Sequence, residues 1–556
     1  MTAYADGLFT AENVRADAPE LFCAAAGMPL TGWTCDRFSF LRGQMDARAG
    51  AGLSPCFALE GVIDRQGVIV CGCDTRANLL RLTQPDEAAH ALRATRERWL
   101  GAVSRLWMTT PDADMNRYLG GWAAYQTLCC RLLARTSLYQ NGGAFGFRDQ
   151  LQDAVNLLLL DSAPAREQIG RACAHQFAAG DVCHWWHEGA GTEHGVRTRI
   201  SDDLLWLPWA VCEYVEKTGD AEILSAEYPF LAGEELEENE HDRYQPLEPG
   251  AETGTVLEHC RRALMRVLAR GVGAHGLLLI GTGDWNDAFD RVGAQGRGES
   301  VWLTWFFAIT ARKFAALVGG HAAEQLALAA DHCTRAAEGA WDGAWYRRGY
   351  YDDGRPLGSE ACGECRIDAI AQAFAALDTH ADRGRVHTAL TSAVEHLFDR
   401  EHNVVRLFDP PITRRTPETG YVRSYGAGLR ETAGSTPTAR CGWPWRCCAR
   451  AARPRAQKYC TPCCPRRTTP HATRASRTCS RPTLRAGTTR ASPAGRGTRA
   501  RRGGTCASRR KICWGCTCAA ACSTPSRTCR PAGRSVPCAG ATERVCCTPS
   551  ACGPTA

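Results

Sequence analysis

Apolar residues recur at helical spacing through most of the chain beyond residue 86. Leu92, Trp99, Val103 and Leu106 follow one another at intervals of seven, four and three positions, which places them on one face of a helix. A second apolar face is formed by Tyr118, Trp122, Tyr125, Cys129 and Leu132. Further helical segments are predicted at 154–160, 204–217, 256–270, 301–317 and 369–377. The pattern therefore predicts a mainly α protein.

The first 80 residues follow a different pattern. Short stretches of alternating or continuous apolar residues, such as 67–71 (GVIVC), are separated by Gly and Pro. This arrangement is typical of β-strands joined by turns. The loops between the later helices are rich in Gly, Asp, Trp and His. An all-α body with its polar chemistry gathered in such loops suits a carbohydrate cleft.

Charge divides the chain into two unlike regions. Residues 432–556 contain 24 Lys and Arg but one acid, Glu543, whereas residues 1–431 carry 42 basic and 58 acidic residues. The net charges are +23 and −16. The basic region also holds 17 of the 31 cysteines and four residues among Leu, Ile, Val and Phe. It lacks the apolar surface needed to offset the entropy of ordering the chain, so disorder is predicted over 432–556.

No run of 18 or more apolar residues appears, and Met1 is not followed by a basic and then an apolar segment. The sequence therefore predicts neither a membrane span nor a secretory signal, and a cytoplasmic location is expected. Cys129, Cys173 and Cys212 lie among helical apolar residues. They are interpreted as small core residues rather than as disulfide partners.

Four loops combine carboxylates, aromatic rings and charged hydrogen-bonding groups, which is the mixture that glycosidic cleavage requires. Ser201, in the third of them, is expected to cap the helix that follows. The loops are 140–153 (QNGGAFGFRDQLQD), 184–187 (HWWH), 197–206 (RTRISDDLLW) and 281–287 (GTGDWND).

Taken singly, each loop has a simpler explanation. Asp149 and Asp153 suit the beginning of any helix, and Trp185 and Trp186 suit a hydrophobic core. His184 and His187 lack a third zinc ligand at a usual spacing. The acids near Gly281 and Gly283 form a stretch too short for an EF-hand calcium loop. No metal site is therefore expected.

The order of these motifs along the chain resembles that in glycoside hydrolase family 94, the cellobiose-phosphorylase-like enzymes. It resembles in particular the phosphorylase-like C-terminal region of cyclic β-1,2-glucan synthases. The resemblance covers about residues 50–431. It rests on 139–153, 180–187, 197–208, 281–287, 298–302 (GESVW) and 364–368 (ECRID).

The resemblance implies that Asp287 is the general acid and that Trp285 packs beside the donor sugar. It implies that Arg148, Asp149 and Asp153 bind the hydroxyl groups of that sugar. Trp185, Asp203 and Glu431 are likewise expected to bind substrate. The implied reaction is inverting phosphorolysis, in which inorganic phosphate attacks the anomeric carbon and releases α-glucose 1-phosphate. Phosphate is then a co-substrate, and no cofactor is expected.

The implied fold is an incomplete (α/α)6 toroid preceded by a partial β-sandwich and a linker helix, and followed by a disordered tail. The expected divisions are 1–85 for the sandwich, 86–115 for the linker, 116–431 for the catalytic barrel and 432–556 for the tail. The missing N-terminal part of the family's sandwich indicates a fragment. The expected partners are phosphate and a β-glucan oligosaccharide, with β-1,2-glucan favoured by the segment 229–244. A homodimer is possible, and no nucleic acid is expected.

The resemblance stops at Glu431, where the family continues with Asn-Gly-Gly-Gln-Tyr-Thr-His. The codons ACG GCG GGC AGT ACA CCC ACG GCG encode 432–439, and one A added before them yields Asn-Gly-Gly-Gln-Tyr-Thr-His-Gly. With permitted codons, the same offset turns 493–503 into Gly-Trp-Thr-Trp-Tyr-Thr-Gly-Ser-Ala-Trp, which looks like the family's phosphate-binding loop. It also turns 511–519 into Asp-Leu-Leu-Gly-Val-His-Val-Arg. The hypothesis is a one-base deletion after the Glu431 codon, and the expected product is inactive or very weak.

Other interpretations stay open at this point. The basic tail suits nucleic-acid binding by its charge, although its aromatic residues are sparse, and it suits metal binding by its cysteines, although these lack regular pairs. The alternatives to a phosphorylase are an inverting hydrolase and an inactive carbohydrate-binding fragment. A hydrolase needs a second carboxylate roughly 6.5 to 9.5 Å from the acid.

Overall fold

The computed structural model describes residues 2–434 and 511–514, except 6–7, 13–19, 64–65, 107, 134–142, 189–191, 238–239, 403 and 433. The disorder predicted for 432–556 therefore concerns residues that lie almost entirely outside this description. The same holds for Trp107 and for the start of the glycine-rich loop at 140–142. The described residues fall into two units, each with its own apolar core.

The first unit contains residues 2–12 and 20–84 and the strand at 511–514. Strands β1, β2, β3 and β6 form one sheet in that order, and β20, β5 and β4 form another. The helices are α1 (Arg37–Leu41) and α2 (Arg76–Leu82). The strands are β1 (Thr2–Ala5), β2 (Leu8–Ala11), β3 (Leu21–Ala26), β4 (Leu30–Asp36), β5 (Pro55–Gly61), β6 (Val68–Gly72) and β20 (Lys511–Trp514).

Apolar side chains from both sheets share one buried cluster in this unit. Phe9 and Cys23 come from the first sheet, and Cys35, Phe57 and Leu59 from the second. The predicted β-structure of the first 80 residues is confirmed in these strands. In the predicted strand at 67–71, pairing begins one residue later, at Val68.

The second unit is helix-rich, which confirms the mainly α prediction. Its helices are α3 (Pro85–Val103), α4 (Ala113–Arg117), α5 (Ala123–Tyr125), α6 (Phe147–Asn156), α7 (Ala163–Cys173), α8 (Trp206–Thr218), α9 (Val256–Ala269), α10 (Val301–Val318), α11 (Gly320–Gly339), α12 (Ala369–Leu377) and α13 (Arg383–Leu397). Two π-helical segments, Tyr118–Trp122 and Gln126–Leu132, flank α5. The helix predicted at 154–160 begins earlier, at Phe147.

Eight of these helices form consecutive pairs. The pairs are α6 with α7, α8 with α9, α10 with α11, and α12 with α13. The first members also pack in sequence, α6 against α8, α8 against α10, and α10 against α12. Such a succession of helical hairpins is what part of a helical toroid requires. The toroid itself stays a prediction.

Short strands occupy the loops between these helices. The largest of their sheets has the order β11, β9, β8 and β7, and its strands lie between residues 145 and 247, from just before α6 to the segment between α8 and α9. The strands are β7 (Phe145–Gly146), β8 (Cys183–His187), β9 (Glu193–Thr198), β10 (Glu227–Leu231), β11 (Asp242–Leu247), β12 (Pro249–Thr255), β13 (Glu299–Ser300), β14 (Gly349–Tyr350), β15 (Pro356–Leu357), β16 (Ile367–Asp368), β17 (Phe398–Asp399), β18 (Val404–Val405) and β19 (Phe408–Asp409).

Helix α10 forms the centre of the apolar core. Trp302, Trp305, Phe306 and Phe307 are fully buried along it. The helix is long and apolar enough to cross a membrane by composition, but 72% of that segment is buried inside the domain. A central core helix accounts for the same composition. Cys173 and Cys212 are also buried as free thiols, which confirms their interpretation as core residues.

Candidate active site

Polar side chains gather where alternate helices of the second unit begin. Arg148 lies in the first turn of α6, and Asp203 begins the short 3-10 turn that leads into α8. Ser300 caps α10 and Asp368 caps α12, each by accepting hydrogen bonds from backbone N–H groups. Because these four helices pack in sequence, their first turns contribute to one polar cluster, which the contacts below define.

Asp287 is the member of this cluster that reaches solvent. It begins a short 3-10 helix, Asp287–Phe289, which Asn286 caps through Ala288 N. Its side chain is 33% exposed. Arg148 Nη2 donates a hydrogen bond to Asp287 Oδ1 at 2.7 Å, and His184 Nε2 lies 3.8 Å from Asp287 Oδ2. The carboxylate is therefore held between two basic groups and stays accessible.

Arg148 connects Asp287 to the buried part of the cluster. Its Nη1 donates to both oxygens of Asp202, at 3.0 and 3.2 Å, and to the carbonyl of Asp284 at 3.2 Å. Asp203 Oδ1 lies 3.6 Å from the same nitrogen. Burial opposes the charged form of Arg148, but the surrounding carboxylates raise its pKa well above the usual value. Arg148 is thus a fixed cation whose orientation three acids determine.

His184 pairs with Asp203 on the other side of Asp287. His184 Nδ1 lies 2.7 Å from Asp203 Oδ2, and both side chains are largely buried. Burial opposes protonation of His184, but the charge and hydrogen bond of Asp203 outweigh it and raise the pKa of His184 to about 9. For Asp203, burial opposes ionisation, and His184 and Arg148 overcome it so that its pKa is lowered. The pair is ionic at neutral pH.

This ion pair makes the stability of the unit depend on pH. The folded-state pKa of His184 lies above the usual 6.5, so its stabilisation is complete below pH 6.5 and is lost as the pH rises through 9. We expect the loss of unfolding free energy caused by His184→Gln to be larger at pH 6 than at pH 10 by roughly 3 kcal/mol. Urea unfolding followed by tryptophan fluorescence measures this difference.

The matched control is His321→Gln, because the His321 side chain is 81% exposed. That substitution is expected to have the same small effect at both pH values. A His184→Gln effect that does not change with pH contradicts the ion pair.

A second, fully buried group supports the loop that carries Asp287. Arg348 Nη2 donates to Asp284 Oδ1 at 2.5 Å, and Arg348 Nη1 donates to Ser300 Oγ at 3.1 Å. Ser300 Oγ in turn donates to Asp284 Oδ2 at 2.7 Å. Arg348 Nε lies 3.5 Å from Asp368 Oδ2, and burial raises the pKa of Asp368 to about 6. These contacts join the loop before Asp287 to the first turns of α10 and α12.

Removing the Arg348 cation should lower the free energy of unfolding substantially. Arg348→Met leaves Asp284 and Asp368 as buried acids without their cation, and breaking a buried pair typically costs about 3 to 5 kcal/mol. Arg355→Met removes an exposed ion pair with Asp353 and is expected to cost less than about 1 kcal/mol. Urea unfolding of both variants measures the difference, and equal losses contradict the proposed support.

Comparison with known proteins identifies the family to which this cluster belongs. Residues 98–461 match the family described as "Glycosyl hydrolase 94 superfamily, catalytic domain". That match covers more than half of the chain and includes every residue of the cluster. The chain belongs to glycosyl hydrolase family 94.

Family members with assigned names extend the match. The chain is 40% identical over 442 residues to the cyclic beta-(1,2)-glucan synthase NdvB of Rhizobium meliloti (strain 1021), covering 78% of this chain and 15% of that protein. It is 29% identical over 372 residues to a 3-O-beta-D-glucopyranosyl-beta-D-glucuronide phosphorylase of Paenibacillus borealis, covering 65% of this chain and 45% of that one. A 1,2-beta-oligoglucan phosphorylase of Listeria innocua is 27% identical over 196 residues, covering 35% and 17%. The chain thus spans less than half the length of these relatives.

The structure brings some of the predicted residues of this family 94 domain together. Arg148, Asp203 and Asp287 meet in one cluster. Asp149 and Asp153 instead pair with Arg131, which lies 3.5 Å from Asp149 Oδ1 and donates to Asp153 Oδ2 at 2.5 Å. Burial raises the pKa of Asp153, although Arg131 opposes the rise. Their role as sugar ligands stays a prediction, and the contacts with Arg131 equally suit a structural role.

The three tryptophans of the sequence motifs, Trp185, Trp186 and Trp285, differ in their surroundings. Trp186 is fully buried and stacks on His175 with ring centroids 3.7 Å apart, so it is a core residue. Trp185, its neighbour in strand β8, contacts Tyr244 at 5.8 Å instead. Tyr244 is 52% exposed. Trp285 is partly buried against the main core. Trp185 and Trp285 are therefore partly exposed, whereas Trp186 is not, and their role as sugar-binding residues stays a prediction.

Glu431 lies at the end of the described chain together with two tyrosines. Burial raises the pKa of Glu431, and the negative charge of Asp287 adds to that rise. Its Oε1 and Oε2 contact Arg430 at 3.4 Å. Asp287 likewise contributes to the raised pKa of Tyr421 and Tyr425, for which burial is the main cause. Glu431 is therefore close enough to Asp287 to interact with it electrostatically.

One sequence-based expectation about the site is wrong, and some residues that contribute to the site were not predicted. Ser201 does not cap α8, because its hydroxyl donates to Gly283 O at 3.0 Å and so ties this segment to the Asp287 loop. Asp202 and His184 lay within the quoted motifs but received no role of their own. Arg348 lay in no motif, and its neighbours in sequence give no signal of its function. Its partners at 284, 300 and 368 become apparent only when the helices pack.

Proposed function

We propose that this domain catalyses inverting phosphorolysis, or the reverse synthesis, of β-glucosidic linkages, with Asp287 as the general acid. Asp287 donates its proton to the glycosidic oxygen while inorganic phosphate attacks the anomeric carbon from the opposite face. The C–O bond to the leaving sugar breaks, a C–O bond to phosphate forms, and α-glucose 1-phosphate is released. Phosphate is already a nucleophile, so one catalytic carboxylate suffices and no cofactor is needed.

The accessibility of Asp287 is the observation that carries this proposal. Asp202, Asp203 and Asp284 are at most 1% exposed and have Arg148, His184 or Arg348 as partners. Asp287, at 33% exposure, is the acid among these four that a substrate can contact. General acid catalysis requires a carboxyl group within hydrogen-bond reach of the leaving oxygen. Arg148 and Asp203 then serve to orient the donor sugar and the groups around it, with Trp285 beside it.

The named relatives favour β-1,2-linked glucan as the substrate. Two of the proteins reported above carry β-1,2-glucan in their names, a glucan synthase and an oligoglucan phosphorylase. The segment 229–244, which resembles that subgroup, ends at Tyr244, and this ring contacts Trp185. Two adjacent, partly exposed aromatic rings suit stacking against successive sugar units. We therefore propose that an oligosaccharide of β-1,2-linked glucose is the glucosyl donor in phosphorolysis and the glucosyl acceptor in the reverse synthesis.

We also propose that the chain as written is impaired by a shift of reading frame after Glu431. The family groups that hold phosphate, a Thr-Gly pair and a histidine, follow the position of Glu431 in the family, and residues 462–556 lie outside the family match. Restoring one base after the Glu431 codon should recover them, and we call that product the frame-restored chain. A cytoplasmic location and a possible homodimer complete the proposal.

A hydrolase is the second candidate, and Glu431 is the observation that favours it. Its electrostatic coupling to Asp287 makes it a candidate for the second carboxylate that an inverting hydrolase needs. We favour the phosphorylase because two of the similar proteins reported above, the 3-O-beta-D-glucopyranosyl-beta-D-glucuronide phosphorylase and the 1,2-beta-oligoglucan phosphorylase, are phosphorylases by name. A carbohydrate-binding protein without activity is the third candidate.

Phosphate dependence distinguishes these candidates. The frame-restored chain is incubated with β-1,2-oligoglucan at increasing phosphate, and glucose 1-phosphate and free reducing sugar are measured separately. A phosphorylase forms glucose 1-phosphate in proportion to bound phosphate. A hydrolase releases sugar without phosphate, and a binding protein releases neither product while still retaining the oligosaccharide.

A further inference from the structure

A cavity separate from the polar cluster lies in the helix-rich unit. Its volume is about 580 Å³, and Asp287, Arg148 and His184 are absent from its described lining. It lies between the end of α9, the segment after strand β9 and the loop that precedes Asp284. The charged and polar groups of its lining include Asp181, Arg199, Glu235, Arg266, Arg270 and Thr282.

Two arginines of this cavity have backbone partners rather than carboxylates. Arg270 Nη1 donates to the carbonyl of Ile200 at 3.2 Å, and among the described residues its side chain has no second hydrogen bond. Arg199 donates to the carbonyls of Glu240, Leu236 and Glu237. Burial lowers the pKa of Arg270, although Asp181 and Asp203 act from a distance to raise it. A carbonyl satisfies a donor but does not neutralise the charge.

The two acids that line the cavity already have cationic partners. Asp181 accepts two hydrogen bonds of 2.7 Å from Arg197, which lies behind the cavity wall. Glu235 pairs with Arg266, and its side chain is 57% exposed. Arg266 Nε is buried and has no hydrogen-bond partner among the described residues. Glu240, which interacts electrostatically with Arg199, is paired with Arg243.

Three arginines therefore line the cavity, against two acids that are already paired. A partly buried guanidinium without a carboxylate partner gains from a bound anion, and several guanidinium groups around one space bind tetrahedral oxyanions well because they offer forked donors. The volume exceeds that of a phosphate ion. Thr282 and the carboxylates can contact hydroxyl groups that accompany the anion.

We propose that this cavity is an anion site, separate from Asp287, that binds a phosphoryl group through Arg199, Arg266 and Arg270. The group is either free phosphate or the phosphate of a small sugar. This site is additional to the phosphate that the proposed reaction consumes, and it does not depend on that reaction.

The test measures thermal stability and ligand binding of the full 556-residue chain, with no need for activity. Inorganic phosphate and glucose 6-phosphate are added separately, with sodium chloride at equal ionic strength as the reference. A ligand that binds the folded state raises the unfolding temperature. We expect phosphate to raise it beyond chloride, and calorimetric titration to show binding at least tenfold weaker in Arg270→Met and Arg266→Met. Equal responses to both ligands indicate free phosphate, and a larger response to glucose 6-phosphate indicates a phosphorylated sugar.

Arg335→Met is the matched control, because Arg335 is an exposed residue of α11 and should keep the full response. Without ligand, Arg270→Met should be no less stable than the unsubstituted chain, since it removes a partly buried charge whose hydrogen-bond partner is a carbonyl. No stabilisation beyond chloride overturns the proposal, as does an undiminished response in both Arg270→Met and Arg266→Met. A response lost in Arg148→Gln but kept in Arg270→Met assigns the anion to the Asp287 cluster and also overturns it.

Discussion

Asp287→Asn is expected to lower the rate of phosphate-dependent cleavage of β-1,2-oligoglucan by about 10²- to 10⁴-fold in the frame-restored chain. The amide is close in size and still accepts the hydrogen bond from Arg148, but it has no proton of suitable acidity for the leaving oxygen. Binding of the oligosaccharide should therefore change little. Initial rates of glucose 1-phosphate formation measure the first effect, and calorimetric titration with oligosaccharide measures the second.

Asp353→Asn is the matched control for this substitution. Its side chain is 49% exposed and pairs with Arg355 at the surface, so the rate should stay within about twofold, since this is a surface position away from the cluster. If Asp287→Asn retains the full rate, the general acid lies elsewhere. If it loses oligosaccharide binding along with activity, Asp287 has a binding role rather than the one we propose.

Restoring one base after the Glu431 codon is expected to raise phosphorolysis by about 10³-fold or more. Removing a single group that stabilises developing charge typically costs about 10²- to 10³-fold, and under the frameshift proposal the chain as written lacks several phosphate-binding groups of the family. Under the frameshift proposal the helices that follow Glu431 in the family are not encoded either, which would leave apolar helix faces uncovered and favour aggregation. Glucose 1-phosphate release by the two chains, purified in parallel, measures the difference.

The frame-restored Asp287→Asn variant separates this effect from a gain of stability alone. It gains the same C-terminal region and should remain close to the activity of the chain as written. Robust turnover by the chain as written contradicts the frameshift proposal, and so does an intact reading frame in resequenced DNA from this region.

Local patterns were sufficient to predict where several helices lie. The helix predicted at 369–377 agrees with the structure at both ends, and those at 256–270 and 301–317 agree within one residue. These helices carry long apolar faces, and Thr255, Ser300 and Asp368 mark their beginnings as side-chain caps. Apolar spacing and capping are properties of short segments, so the sequence alone reveals them.

The composition of the candidate site depended on contacts that no short segment contains. Arg148 and Asp287 are 139 positions apart, and only their order within family motifs suggested that they meet. Asp149 and Asp153 belong to the same motif as Arg148, but they form ion pairs with Arg131 because they lie on a different side of α6 from Arg148. Arg348 reaches Asp284 from 64 positions away. Such pairings are fixed by the packing of helices, which residue types and spacing do not specify.

The charge interactions within the site could not be predicted from the sequence either. His184 was considered as a possible metal ligand, whereas the structure pairs it with Asp203 and brings it near Asp287. Burial and neighbouring charge set its pKa, and both depend on the tertiary fold. The same reasoning explains why Ser201, a suitable cap by sequence, bonds to Gly283 instead.

The role of Asp287 as proton donor is tested most directly by changing the leaving group. Fluoride leaves β-glucosyl fluoride with little need for a proton, whereas the sugar oxygen that leaves β-1,2-oligoglucan needs one. With phosphate present, frame-restored Asp287→Asn should convert the fluoride to α-glucose 1-phosphate within about tenfold of the unsubstituted rate, while its rate on the oligoglucan falls by about 10²-fold or more. Equal losses on the two substrates contradict the account, because a residue that only binds or positions sugar does not distinguish the leaving groups.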